Sequence, residues 1–473
     1  DADAAEGSRN DGRPDGGATR DAMKPAPLLF EDPAFTPPAP PAARPGVARG
    51  LLLVLLIFAG TRLLTWTATY CGAAMLVRIE HQLDPPFEKH VRRLQEQAAQ
   101  GRSAEYQSIV DLLTNLAPLC RFDGVHYKSI IEGGYRYQPP PPGTTDRKLL
   151  EQNIAFFPLY PALCRPLARL VGTHAAMIIV AHVCGLAAGV LLYLWVRRRV
   201  DEPTALLTVA FTFCWPASVY YSYGYAESVT LLTFVAALWL IDRGLFLRAA
   251  VMCGLATATR PTALAIAAVF ALAYWFKRSG PRGRRLATLI PLGVLAGAGI
   301  LCYAAYLTWQ FGSPLVYFAN FKAGWVPDAR RATWLEFLTL TPVWEQFKYF
   351  RDLVLYLPLG LINLAHPFLW NMPLNFFLLF LSLAGLGRVP RSFRPLLALG
   401  PLIFLHSYLA SGGAKFGIEP IGRYMAVAVP ALIVLAAWCQ REWKPVGRYV
   451  LLTLLLLIQA AWAFRFGLQE WSG

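Results

Sequence analysis

The chain has 473 residues, of which 56% are hydrophobic and 15% are charged, and its mean hydropathy is +0.41. A soluble domain carries about 25% charged residues, whereas the apolar residues here form long runs. One large soluble core is therefore excluded and a polytopic membrane protein is indicated. The net charge of +15 does not indicate a nucleic-acid partner, because the Lys and Arg residues fall in short clusters between apolar runs, without basic–aromatic interleaving.

Residues 1–47 are rich in Pro, Ala, Gly and charged residues and show no apolar periodicity. This composition predicts a disordered tail ahead of a single transmembrane domain at 48–473. The first apolar run, about 50–71, follows Arg44 and Arg49. Because positively charged flanks stay inside, we expect the tail to be cytoplasmic and the following loop to lie outside.

Apolar runs predict an all-α bundle of about eleven transmembrane helices. The runs lie near 50–71, 175–196, 204–222, 227–242, 246–259, 262–276, 287–309, 371–386, 395–410, 424–439 and 447–466. Alternation from a cytoplasmic start places every strong basic cluster on the cytoplasmic side, namely 197–199, 242–248, 277–285, 388–394 and 441–448. The run 246–259 is short for a span, and we interpret it as half of a helical hairpin broken at Arg260-Pro261.

The predicted outer face holds most of the unusual polar residues of the chain. Two amphipathic stretches, 156–172 and 344–364, are expected to be helices lying along the outer interface. The same face collects the first long loop, 72–174, the second large loop, 310–370, the turn YSYGYAES (221–228) and SGGAKFGIEPIGRY (411–424). We therefore expect a functional site on this face.

Asp123, in RFDGVHYKSIIEGGY (121–135), is the first candidate. It is followed by a short helical pattern, so one interpretation is a helix cap whose carboxylate accepts a backbone N–H. The other is a general base that removes a proton from an acceptor hydroxyl at the membrane surface. The two interpretations are compatible, because a capping Asp can still face a cavity.

Several charged residues of the outer face are candidates for binding a substrate phosphate. Arg260 lies between apolar residues, directly before Pro261. An Arg at membrane depth faces a cavity or a partner. Arg260 is therefore expected either to bind a phosphate or to form an ion pair with Glu227 or Asp123. Glu227 begins an apolar helix, where the helix dipole also favours a carboxylate. Arg423 and Tyr424 lie at the start of the apolar run 424–439, and Lys415 comes shortly before them. These residues are expected either to bind a phosphate or to anchor the span at the membrane interface.

The metal and cysteine patterns are weak. His126 and Tyr127 stand beside Asp123 as candidate substrate-binding residues, and the set Asp123, His126 and Glu132 is too loose to predict a metal site. No metal or cofactor is predicted. The eight Cys residues form no CxxC pair and indicate small buried side chains, although Cys71 and Cys120 share the first loop, where a disulfide is an alternative.

Taken together, the motifs resemble those of the GPI mannosyltransferase II (PIG-V-like) family, in the GT-C superfamily of membrane glycosyltransferases. The resemblance covers about 50–440 and rests on six segments in the same order: RFDGVHYKSIIEGGY, NIAFFPLYP (153–161), YGYAES, TATRPTA (257–263), GSPLVYFANFKAGW (312–325) and IGRYMAVAVP (421–430). The chain departs from the family pattern at Phe122, where Trp is usual, at Ser313, and in the Pro-rich insert 138–152.

The resemblance implies transfer of a hexose, in this family mannose, from a polyprenyl- or dolichyl-phosphate-linked donor to a lipid or glycan acceptor. Asp123 would then be the base, and Arg260 and Arg423 would stabilise the phosphate leaving group, with inversion at the anomeric carbon. A bacterial inner membrane with the site facing the periplasm is expected, the ER membrane being the alternative. The competing function is a flippase or transporter for a lipid-linked sugar, which would move its substrate without forming a glycosyl product.

Overall fold

The computed structural model describes residues 28–30, 47–82, 115–141, 143–144, 147–324, 333–341, 343–344, 348, 351, 367–410 and 421–468. Within these residues the secondary structure is helical, and no strand occurs. The predicted all-α fold is therefore confirmed for this part of the chain.

The α-helices are α1 Val47–Gln82, α2 Asp123–Gly133, α3 Arg147–Leu150, α4 Leu159–Val171, α5 Thr173–Val196, α6 Glu202–Cys214, α7 Glu227–Asp242, α8 Phe246–Thr257, α9 Leu264–Lys277, α10 Arg282–Ala296, α11 Ala298–Phe311, α12 Val316–Gly324, α13 Trp334–Leu338, α14 Pro367–Gly385, α15 Arg394–Leu397, α16 Leu399–Ala410, α17 Ile421–Met425, α18 Val429–Glu442 and α19 Pro445–Gly467. Short 3-10 helices lie between them at Ala117–Cys120, Asn153–Ala155, Pro216–Ser222 and Pro261–Ala263.

Within the described residues, three helices are long and apolar enough to cross a membrane unaided: Val47–Leu76 of α1, then α5 and α19. Two more spans result if each bent pair is counted as one, Pro216–Ser222 with α7 (107°) and α10 with α11 (57°). Shorter apolar helices make up α6, α8, Pro261–Lys277 and Trp370–Gly385. The chain is an integral membrane protein with several apolar spans, and the number eleven stays a prediction.

Proline accounts for two interruptions of the apolar runs. The run 204–222 is not one helix as expected: α6 stops at Cys214, and Trp215 is extended before Pro216, because the residue before a proline disfavours the α region. The break expected at Arg260-Pro261 is confirmed, since α8 ends at Thr257 and Arg260 is extended. Both breaks place polar residues at the same end of the bundle.

α1 and α19 pack along each other at very close range. A Cβ added to Gly72 would lie 2.0 Å from Phe464 O, and one added to Gly467 would lie 2.0 Å from Thr69 O. Small residues of this kind allow transmembrane helices to approach closely. This pairing brings the last helix of the bundle against the first.

The basic loops meet at one end of the bundle, as the topology predicts. Asp242, at the end of α7, accepts hydrogen bonds from Arg199 Nε (2.5 Å) and Trp195 Nε1 (3.0 Å), and Lys277 Nζ lies 3.5 Å from its Oδ1. Arg199, Asp242 and Lys277 come from three of the five basic clusters. The opposite end of α7 carries Glu227, about 22 Å away at 1.5 Å per residue.

Three residues of the predicted tail, Leu28–Phe30, are described by the structure. Leu28–Phe30 pack onto the basic end: Leu29 N donates to Arg388 O (2.7 Å), Arg441 Nη1 donates to Leu28 O (3.2 Å), and the Phe30 ring contacts Phe393 edge-on at 5.2 Å. Phe30 is buried. An isolated apolar triplet is thus enough to dock this segment, although the surrounding composition is typical of disorder.

Candidate functional site

Asp123 lies at the first position of α2 and does not cap it. Phe122 occupies the cap position with φ 53°, and no side-chain cap hydrogen bond is formed. Left-handed backbone at a bulky residue costs about 1–3 kcal/mol and is typical of functional sites. Asp123 Oδ2 instead accepts a hydrogen bond from Arg423 Nη2 at 2.5 Å, and the Asp123 side chain is 17% exposed. The cap interpretation is therefore wrong, and the carboxylate is oriented by a guanidinium.

Two carboxylates and two guanidiniums form one buried network. Glu227 Oε1 accepts a hydrogen bond from Arg423 Nε and forms an ion pair with Arg260 Nη2 at 2.9 Å. Arg423 thus bridges Asp123 and Glu227, and Glu227 bridges the two arginines. The charges balance two against two, as burial of charged groups requires. Of the alternatives for Arg260, the ion pair with Glu227 is present.

Tyrosine rings pack against both guanidiniums. Arg423 Cζ lies 5.1 Å from the ring centre of Tyr220 and 4.9 Å from that of Tyr225, and the two rings are nearly parallel. Arg260 Cζ lies 5.4 Å from the Tyr424 ring. Cation–π contacts of this kind stabilise a guanidinium in a desolvated site and limit its rotation. Tyr225 of the YGYAES turn and Tyr220 just before it therefore contact the ion network directly.

The turn before α7 is hydrogen-bonded to the segment that precedes Asp123. Gly224 N donates to Leu119 O at 2.9 Å, and the Tyr225 hydroxyl donates to Arg121 O at 2.9 Å. A Cβ at Gly224 would lie 2.7 Å from Cys120 Sγ and 2.8 Å from Met177 Cε, so a larger residue would displace these two side chains. The positions of Asp123 and Glu227 are thereby fixed relative to each other.

The motif NIAFFPLYP packs against the end of α2. Asn153 Nδ2 donates to Ser129 Oγ (2.9 Å) and Gly134 O (3.1 Å), and its Oδ1 accepts from Arg136 N (3.0 Å). The Tyr135 hydroxyl donates to Phe156 O at 2.9 Å. The two sequence motifs, separated by the Pro-rich insert, therefore form one structural unit, with 156–172 continuing as the expected helix α4.

Of the two candidates beside Asp123, Tyr127 is buried and His126 is half-buried. His126 stacks on Phe156 with ring centres 4.6 Å apart, while Tyr127 contacts Phe156 and Tyr160 edge-on. Burial raises the pKa of the Tyr127 phenol well above its ordinary value, so this group stays protonated at neutral pH. Neither residue contacts the ion network through a described hydrogen bond.

Two buried atoms of the network, Glu227 Oε2 and Arg260 Nε, have no hydrogen-bond partner among the described residues. In Asp123, the hydrogen bond from Arg423 goes to Oδ2 and not to Oδ1. Buried polar atoms are normally paired, so such groups mark a place where a ligand or water completes the bonding. The site therefore offers an accepting carboxylate oxygen on one side and a guanidinium donor on the other.

The remaining candidates contribute less. Lys415 and most of 344–364 lie outside the described residues. Cys71 and Cys120 are both free, so the alternative of a disulfide is wrong for this structure; Cys120 is buried against the turn, which raises the pKa of its thiol to about 12. Among the described residues no three His, Cys, Asp or Glu side chains gather as a metal site.

Sequence reasoning missed one charged residue that reaches this region. Arg62 lies in the middle of α1 and is 4% exposed, and it donates to the chain just before the tyrosine-rich turn, for example to Ser218 O at 2.6 Å. The signal was a single arginine inside an apolar run, which is rare in transmembrane segments and seldom without a role.

The chain was compared with known proteins at three levels. No protein family matches it, and no curated protein matches it in sequence. Among solved structures it is similar to the crystal structure of ArnT from Cupriavidus metallidurans bound to undecaprenyl phosphate, with 13% identity and a TM-score of 0.42. That similarity covers 70% of this chain, which spans 57% of the ArnT chain.

Proposed function

We propose that the chain is a membrane glycosyltransferase of the GT-C type that moves a hexose, mannose in the family its motifs resemble, from a polyprenyl-phosphate-linked donor to a hydroxyl of a lipid or glycan. The observation that carries the proposal is the ion network. Asp123, Glu227, Arg260 and Arg423 come from four separate motifs and form one cluster at the end of the bundle opposite the basic loops.

Asp123 is the proposed base. Arg423 holds Oδ2, which leaves Oδ1 for the proton of an acceptor hydroxyl. As Oδ1 takes that proton, the acceptor oxygen forms a bond to the anomeric carbon, and the bond from this carbon to the phosphate oxygen breaks. The phosphate leaves with the electron pair, and attack opposite the leaving group inverts the anomeric carbon. A base within hydrogen-bond reach contributes about a hundredfold to ten-thousandfold to such a step.

Arg260 is the proposed main ligand of the leaving phosphate. Its Nη2 is held by Glu227, while Nε has no partner among the described residues. A guanidinium matches the planar pair of oxygens that a phosphate presents, and it stabilises the charge that develops as the sugar departs. Arg423 already binds both carboxylates, so its proposed part is to orient Asp123 and add positive charge beside the phosphate.

The experiment is a transfer assay with purified protein in lipid. The protein is incubated with labelled polyprenyl-phosphate mannose and bacterial lipids, and products are identified by mass spectrometry, with anomeric configuration determined by NMR. A labelled product of inverted configuration is expected. Movement of the donor across vesicles with no glycosyl product would overturn the proposal in favour of a flippase, and transfer from other hexose donors alone would overturn the mannose assignment.

A further inference from the structure

Arg62 is a buried cation without an acidic partner in the described part of the chain. It lies within the transmembrane part of α1 and is 4% exposed. Its guanidinium is held between the rings of Phe58 and Phe213, with Cζ 5.6 and 5.7 Å from their centres. A buried charge of this kind is costly, and such residues persist in membrane spans where they do specific work.

The hydrogen bonds of Arg62 converge on the break between α6 and α7. Nη1 donates to Ser218 O (2.6 Å) and Ser222 Oγ (3.0 Å), and Nη2 donates to Phe213 O (3.1 Å). The carbonyls at the end of a helix lack intrahelical partners, and inside a membrane water does not replace them. Arg62 supplies donors to these carbonyls and thereby stabilises the break.

Gln459 of α19 supports the same atoms from the other side. Its Nε2 donates to Ser218 Oγ at 2.7 Å and to Phe213 O at 3.2 Å. The first and the last long helices therefore clamp the 3-10 helix Pro216–Ser222 between them. A lysine at position 62 has one nitrogen in place of the three of a guanidinium, so it cannot reach Phe213 O and Ser222 together.

The clamped segment carries the groups that hold the ion network. Tyr220 lies between Ser218 and Ser222, which both accept hydrogen bonds from Arg62, and the Tyr220 ring contacts Arg423. Tyr225 and Glu227 follow Ser222 within five residues and contact Arg423 as well. A displacement of the 3-10 helix therefore displaces the support of Arg423 and, through Glu227, of Arg260.

We infer that Arg62 is a positioning residue for the donor-phosphate site, acting through the 3-10 helix Pro216–Ser222 and the turn that follows. This inference rests on the proposed function, and it assigns a role to a residue that touches neither substrate. Loss of the Arg62 contacts should disturb donor binding through Arg260 and, through Arg423, the orientation of Asp123, so donor kcat/KM should decrease while the KM for the acceptor stays near wild type.

The test compares Arg62→Lys with Arg199→Lys, a buried arginine at the opposite end of the bundle. Purified variants are assayed for transfer with the donor and the acceptor varied separately. We expect kcat/KM for the donor to fall about tenfold in Arg62→Lys, since small misplacements of binding groups cost that much or more. The acceptor KM of Arg62→Lys should stay near wild type, and so should the donor kcat/KM and the acceptor KM of Arg199→Lys. Equal losses in both variants, or an unchanged donor kcat/KM in Arg62→Lys, would overturn the inference.

A double-mutant cycle separates positioning from general loss of stability. In a Glu227→Gln background the Arg62→Lys change should decrease donor kcat/KM by a smaller factor than in wild type, because the route to Arg260 through Glu227 is already broken, whereas an independent role would give additive losses. If Arg62→Lys does not accumulate, Ser222→Ala provides the same comparison, because it removes one acceptor of Arg62 and keeps Arg62 itself. A decrease of about threefold in donor kcat/KM is expected.

The outcomes for the proposed function and for this inference are distinguishable. If the wild-type protein transfers no sugar, the proposed function and this inference are both overturned. If the wild-type protein transfers sugar and the variants match it, this inference alone is overturned.

Discussion

Asp123 and Arg423 are 300 residues apart in sequence, and their side chains form an ion pair of 2.5 Å at one end of the bundle. The first belongs to the loop after α1, and the second to a five-residue helix before α18. Their contact means that the candidate base is oriented by the opposite end of the chain. The same guanidinium also binds Glu227, so the orientation of Asp123 depends on the whole network.

Removal of the Asp123 charge should stop transfer. In Asp123→Asn the amide keeps the size of the side chain but cannot take a proton, so kcat should fall by about a hundredfold to ten-thousandfold. The measurement is the initial rate of product formation with saturating donor and acceptor. Binding of the donor should change far less than the rate.

Glu132→Gln provides the matched control, because Glu132 is an exposed carboxylate on the same helix α2. It should transfer at the wild-type rate. If Asp123→Asn and Glu132→Gln were equally active, Asp123 would not be the base, and its pair with Arg423 would be structural.

Arg260→Lys should weaken binding of the sugar donor more than binding of the acceptor. A lysine ammonium can pair with Glu227 or contact a phosphate, but its donors all lie on one nitrogen, so it cannot reach both partners as the separate nitrogens of the guanidinium do. We expect donor kcat/KM to decrease about tenfold to a hundredfold, the usual effect of losing a hydrogen bond to a charged group. Arg169→Lys, at an exposed position of α4, is the control. A larger effect on the acceptor KM than on the donor would contradict the assignment of Arg260 to phosphate.

The sequence singled out the four residues that form the ion network but did not predict their contacts. Membrane topology placed Asp123, Glu227, Arg260 and Arg423 on one face, and the structure brings these four together. The pairing of Asp123 with Arg423 could not be predicted, because a carboxylate at a helix start has a local alternative, the cap, of similar expected frequency. Tertiary contact with a buried guanidinium decided between them.

The same reasoning explains the errors in the fold. Hydropathy finds apolar runs but is insensitive to where a run is interrupted, so 204–222 was taken as one helix although Pro216 ends α6 early. Arg62 is missed for a related reason, since one charged residue hardly changes the mean hydropathy of a window as long as a transmembrane span. Its role depends on carbonyls freed by that same break, which become visible only in three dimensions.

Cys120 should be unreactive in the folded protein. Its thiol is buried and its pKa is raised to about 12, so at pH 8 only about one molecule in ten thousand carries the reactive thiolate. Because the thiol is buried, a small maleimide should label Cys120 only after denaturation, and labelling of the folded protein should stay far below that of the denatured protein between pH 7 and 9. Peptide mass spectrometry without reduction provides the check, and a linked Cys71–Cys120 peptide would contradict the free thiols seen here.

Loss of the Asp242 charge should destabilise the protein without altering the site. Asp242 is 6% exposed in its side chain and contacts Arg199, Trp195 and Lys277. Asp242→Asn keeps one acceptor for Trp195 but removes the negative charge that faces Arg199 and Lys277, and breaking a buried ion pair in this way costs about 3–5 kcal/mol. The thermal midpoint in detergent should therefore decrease clearly relative to Asp201→Asn, an exposed carboxylate at the same end. Because Asp242 is about 22 Å from Glu227 along α7, kcat and both KM values per folded molecule should match wild type below the transition. A changed donor KM at low temperature would show instead that the two ends of α7 are coupled.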